Sequence, residues 1–325
     1  MRKNRTRFFV GLLIALSILA TSVVGGYFVI DKILVPQYFS EYGINNLAEL
    51  VNIVQTIYIV PDEKEFITNA YSDFDKNSAT SKLTSAGFPT LKNGELDYES
   101  IARNDFNYTP DEDFVDNFIL LNDKELASIA GGIIDSGILA TDYPGLEAID
   151  ILNIELKQII VTPNQETLKD NEKQHDEDTD ENSYEKYINA TTPDANITIT
   201  VKLDTVSARQ QISTNLNMPK FLVDWIIPDA IYATCKMDTK INDSGERIYE
   251  NSSIAINSKT PKQSEILLKL LLSFIFPDNS YTIESFANEL SALAIQGIDQ
   301  LGQMEFAIIE QSSGTKNSGI KLYFS

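Results

Sequence analysis

Three kinds of hydrophobic patterning divide the chain. The first is an unbroken run, Phe8–Ile30, reading FFVGLLIALSILATSVVGGYFVI without one charged side chain. As a helix it would reach about 35 Å, slightly more than the roughly 30 Å of a bilayer's hydrocarbon core. The second kind is helical spacing. Leu47, Leu50, Val51, Val54 and Ile57 predict a helix over Ile44–Tyr58 that stops near Pro61. Asn122 with Glu125 makes a capping box, and Leu126, Ile129, Ala130 and Ile133 follow as one apolar stripe. The third kind is alternation with period two. Leu152, Ile154 and Leu156, then Ile197, Ile199, Val201 and Leu203, then Ile231, Ala233, Cys235 and Met237 each face one way along a strand.

Between these elements the pattern weakens in two places. From Tyr71 to Thr109 it dissolves into Ser, Asn, Asp and Gly, which predicts irregular structure. The stretch 163–194 includes HDEDTDENSYE and has too little apolar surface to offset the entropy of ordering. It is expected to be a disordered acidic insert at the tip of one hairpin. Near the end, Thr260-Pro261-Lys262-Gln263 starts a helix with a cap and a proline at the first helical position. That helix, Ile266–Phe276, is apolar on nearly every side. A second helix is expected from Thr282 to about Gly302, and then a hairpin of 303–311 with 318–325.

The N-terminal run is bounded by Arg2, Lys3, Arg5 and Arg7 on one side and by Lys32 alone on the other. Positive charge resists translocation, so the N-terminus is expected in the cytoplasm and the rest outside it. The run is long for a signal core, and no strong small-x-small site follows it. An uncleaved anchor is therefore expected over residues 1–35, a membrane-proximal helical and irregular region over 36–110, and an extracytoplasmic domain over 111–325. The fold class is α+β: a transmembrane helix, a short helical stalk, then antiparallel sheets packed with long apolar helices.

Composition narrows the function. The 325 residues carry a net charge of −21, and the basic tip leaves the remainder more acidic still. Such a surface repels nucleic acid, which is excluded as a partner. Cys235 is the only cysteine, so an exported domain would hold no internal disulfide. That fits a Gram-positive type of envelope.

Catalytic chemistry finds little support. His175 is the only histidine and lies in the acidic insert, where no base can be held in fixed geometry. Cys235 falls on the inward side of a strand and reads as a core residue. Asp73, Asp75 and Asn77 imitate the start of a calcium loop, but Ser78 and Thr84 stand where glycine and glutamate belong. No catalytic residue, metal ligand or cofactor is expected. What remains is apolar excess: one flank of helix 266–276, with Leu267, Leu268, Leu270, Leu271, Phe274 and Ile275, is the candidate lining of a groove for an acyl chain.

The segments LNDKELASIAGGII, ILNIELKQIIV, ITITVKLDT and LNMPKFLVDWIIPDAIYATCKMD follow a single N-terminal anchor. In that order the chain resembles membrane-anchored extracytoplasmic YpmS-type proteins of Gram-positive bacteria. It is also similar to tubular lipid-binding (TULIP-like) domains, in which a long helix lies in a curled sheet. The resemblance spans 114–325 and implies lipid binding in the cell envelope, while the insert and the helices of 44–71 depart from it. The membrane and lipid are the expected partners. The alternative is a non-catalytic scaffold in envelope assembly.

Overall fold

The computed structural model describes residues 25–40, 43–58, 67–103, 105, 107, 109, 118–136, 154–167, 169–170, 187–215, 219–245, 247–257, 268–269, 285, 303–310 and 316–323. The chain divides into two units, Met1–Tyr58 and Ile59–Ser325.

In the first unit a helical run from residue 25 continues through a π-turn, Ile30–Leu34, into α1 (Val35–Phe39). Pro36 lacks an N–H, and the chain here bonds with a wider step, from Val35 N–H to Ile30 O. After a turn at Gly43, α2 (Leu47–Tyr58) begins close to where the sequence places it. Asp31 is turned inward, and its Oδ1 accepts the Leu47 N–H at 2.7 Å. Val35, Phe39, Ile44 and Leu50 form the small core of this unit. Among the described residues no helix is long and apolar enough to cross a membrane. Most of the expected anchor, residues 8–24, lies outside the described residues.

The second unit opens with a departure from expectation. Tyr71–Thr109 carries two helices, α3 (Asp73–Ser85) and α4 (Tyr98–Ala102). A reciprocal cap starts α3: Ser72 Oγ accepts the Asp75 N–H, and Asp75 Oδ2 accepts the Ser72 N–H at 2.9 Å. Its core side holds only Ala79 and Leu83, too narrow a stripe to register as periodicity. The calcium-like Asp75 is therefore a helix cap.

Strand β1 (Phe118–Asn122) runs directly into α5 (Asp123–Asp135). The capping box is formed as the sequence predicts. Asn122 Oδ1 accepts the Glu125 N–H at 3.0 Å, and Glu125 Oε2 accepts the Asn122 N–H at 3.0 Å. More of α5 is buried than its stripe alone requires: Ala127, Ser128 and Gly131 are covered as well. It packs on β2 (Ile154–Pro163) and is also touched by β1 and α3.

After β2 come β3 (Lys169–Asp170), β4 (Tyr187–Thr192) and β5 (Ala195–Asp204). Helices α6 (Val206–Asn215) and α7 (Lys220–Ile226) lead to β6 (Ala230–Ile241) and β7 (Arg247–Ile256). The chain closes with β8 (Gln303–Glu310) and β9 (Lys316–Tyr323), the hairpin read from its alternation. All described pairings are antiparallel. The first sheet has the order β1-β9-β8-β4-β3, and the second β2-β5-β6-β7. The α+β class is thus present in the described residues.

The acidic insert is narrower than 163–194. The β2–β5 pairing, which reaches Pro163↔Ala195, resumes beyond the crossing as Lys169↔Thr191 in the other sheet. Strand β4 then pairs with β8 from Tyr187 to Thr192. Backbone pairing orders this polar sequence, which alternation of side chains could not reveal. One hairpin therefore belongs to both sheets, changing from one to the other near Asn164 and Pro193. Arg247 pins the same corner: its guanidinium donates to Pro193 O at 2.6 Å and to Met304 O at 2.7 Å, and lies 4.9 Å from the Phe306 ring centre.

Candidate functional site

Alternation gives the second sheet two unlike faces. On one, β5 presents Ala195, Ile197, Ile199, Val201 and Leu203, all buried. The register sets Ile199 between Ile159 of β2 and Cys235 of β6, with Ile254 of β7 beyond. A bulge at Lys157 keeps the phase, so that Leu156 and Ile159 both point to this side. The apolar face runs nine residues along β5, or about 27–30 Å, and crosses all four strands at the row Ile159–Ile199–Cys235–Ile254.

The opposite face is polar. At its centre Gln158, Thr200 and Thr234 form a seam across three strands. Gln158 Nε2 donates to Thr200 Oγ1 at 3.2 Å, and Thr200 and Thr234 share a 3.2 Å hydroxyl contact. Gln158 Oε1 accepts the Asn69 N–H at 3.2 Å, so the segment before α3 covers this seam. Sequence reading missed the seam, although the threonines between the apolar residues of β5 were its signal.

Several titratable groups lie around α5. Burial pushes the Asp123 carboxyl up to about 7, although the N–H of Val161 donates to its Oδ1 at 3.2 Å and acts the other way. Glu125, almost wholly covered, binds Lys82 Nζ at 3.0 Å and the Ser78 hydroxyl at 2.5 Å. Burial also raises the Tyr71 and Tyr98 phenols, Tyr98 to about 12, and Asp135 is raised by burial and then by Glu155. Asp123 ties α5 to β2, and Lys82, paired with Glu125, ties α3 to β1 through Leu120 O at 2.9 Å. Among the described residues no three acidic, cysteine or histidine side chains converge as a metal site.

Burial holds the Cys235 thiol up at about 12, which makes it inert at neutral pH and agrees with its reading as a core residue. Of the six groove candidates, Leu268 is helical and 1% exposed. Leu267, Leu270, Leu271, Phe274 and Ile275 lie outside the described residues, as does His175. Among the described residues the chemistry is that of a long apolar surface, with no cluster of potential metal ligands beside it. No family model, no curated protein and no solved structure matches this chain.

Proposed function

We propose that this chain is a single-pass envelope protein, its N-terminus cytoplasmic and its α+β domain extracytoplasmic, and that the domain binds a lipid chain against the apolar face of the second sheet. The observation that carries this reading is the length and uniformity of that face. From Ala195 to Leu203 no polar side chain of β5 interrupts it, and the facing residues of β2 and β6 are apolar from Ile197 to Leu203, with Thr239 the one polar partner, opposite Ala195. A polar substrate requires a few placed donors and acceptors to orient it. A hydrocarbon chain requires only extended apolar contact. Leu268 is helical and buried, as the expected apolar helix requires.

A second reading is a ligand-free interaction domain in envelope assembly. It is favoured by how tightly the face is covered: Ile199, Ala233 and Met237 are 0–1% exposed. Close-packed interiors leave no room for a guest.

Native mass spectrometry of the 59–325 unit separates the two. Lipid binding predicts mass increments that match co-purified lipid and disappear after solvent extraction. A single bare mass, together with no uptake of a fluorescent fatty acid, refutes lipid binding and leaves the interaction domain. In the lipid case, Ile199→Asn is expected to lower fatty-acid uptake at least tenfold in protein that still unfolds cooperatively.

A further inference from the structure

The helical run at 25–39 changes character at one residue. Positions 25–29 are exposed on every side, and Tyr27, Phe28 and Val29 are 55%, 57% and 43% exposed. From Asp31 onward one row is buried at intervals of four: Asp31, Val35 and Phe39. Asp31 is the only acid of this segment before Glu41. Its carboxylate is turned inward, accepting the Leu47 N–H and pairing with Lys32 Nζ at 2.9 Å. The outward face therefore stays apolar as far as Ile33, which is 49% exposed, with Lys32 the one charge on it.

An apolar helix exposed all round needs an apolar surrounding. This face continues the uncharged run of Phe8–Ile30 without a break. On the membrane-anchor reading, about twenty residues counted from Phe8 would fill the hydrocarbon core and bring its outer edge to about Tyr27 and Phe28. Ile33 lies roughly 7 Å further along the axis, at headgroup depth. Tyrosine is favoured at that level, and a lysine there extends its ammonium to lipid phosphate.

We infer that Tyr27, Phe28, Val29 and Ile33 form a collar seated in the outer headgroup–acyl boundary of a phospholipid bilayer, with the inward-turned Asp31 marking where the chain leaves the lipid. The inference rests on the membrane-anchor reading above and adds its depth. The collar fixes the level of the π-turn, and the Asp31–Leu47 bond then sets the start of α2 just outside the membrane.

Tryptophan quenching in the full chain tests it, with the native Trp225 as baseline. Three variants, Ile18→Trp, Phe28→Trp and Ile33→Trp, are placed in phosphatidylcholine vesicles brominated at shallow or deep acyl positions. For Phe28→Trp and Ile33→Trp the added emission is expected to be quenched at least twofold more by shallow than by deep bromines. Both should be shielded from aqueous acrylamide. Quenching of Ile18→Trp by lipid, while both collar positions respond only to acrylamide, overturns the collar and leaves the anchor intact. Stronger quenching of both collar positions by deep bromines overturns the boundary placement. Absence of lipid quenching at Ile18→Trp overturns the anchor, and the collar with it.

Discussion

A methyl group on Gly132 would lie 2.2 Å from Cζ of Tyr98, so the Tyr98 ring rests directly on the backbone of α5. Its neighbour Gly131 is in a milder position, where a methyl would lie 2.8 Å from the Tyr71 hydroxyl, the far end of a side chain that can swing. Alanine favours a helix over glycine by about 1 kcal/mol. Gly131→Ala is therefore expected to be close to neutral. Gly132→Ala should destabilise the 59–325 unit by about 1–3 kcal/mol, because the ring must leave its seat. Urea unfolding of the two variants checks the contrast, and Tyr98→Ala should remove most of the difference between them.

Asp123 supplies a pH dependence with a definite sign. Its carboxyl titrates at 3.8 when unfolded and at about 7 when folded, so the folded state holds the proton more tightly. The associated stability is complete below pH 4 and is lost as pH rises through 7. The gap corresponds to roughly 4 kcal/mol at full expression. Asp123→Asn keeps an oxygen for the Val161 N–H and removes the titration. Relative to the variant, the wild type is expected to lose stability between pH 5 and 8. Parallel curves across that range would show that Asp123 titrates normally.

Lys82 and Glu125 form an ion pair whose side chains are 20% and 3% exposed. Removing one member leaves the other charge buried without its partner. Lys82→Met is expected to cost about 3–5 kcal/mol. Adding Glu125→Leu should recover part of this loss, but not all, because Glu125 also accepts the Asn122 N–H and the Ser78 hydroxyl. A double-mutant cycle in chemical denaturation measures the coupling.

The corrected insert changes what can be removed. Replacing 171–186 with a short Gly/Ser link is expected to shift the melting temperature by only a few degrees, since long loops add little closure entropy. Extending the deletion to Gln165–Ala190 takes away β3 and four of the six residues of β4. That larger deletion should abolish cooperative unfolding, and circular dichroism melts distinguish the two.

Where side chains alternate or caps are reciprocal, this fold was readable in advance. The Asn122–Glu125 cap, the β5 and β6 strands and the β8–β9 hairpin all fall where the pattern places them. Three elements left weaker marks. Strand β1 is a short apolar run that abuts a helix, α3 has two core residues and a Ser–Asp cap, and β4 is ordered by backbone pairing inside a polar sequence. The apolar sheet face was legible residue by residue. The six candidates on helix 266–276 rest on apolar content alone, and of these the described structure places only Leu268.

Strand β1 at 118–122 takes its only described sheet partner from β9 at 316–323, about 200 residues later. At the closest point Gly319 leaves room for the carbonyl of Leu121, which a methyl group there would meet at 2.2 Å. A chain made and moved from its N-terminal end can thus form the β2–β5 pairing early, but it cannot close the first sheet until its final strand arrives. Until then β1 has an unpaired edge and α5 lacks the support of β9. The two sheets thus mature in sequence: the second needs nothing beyond β7, whereas the first stays open until β9 is present.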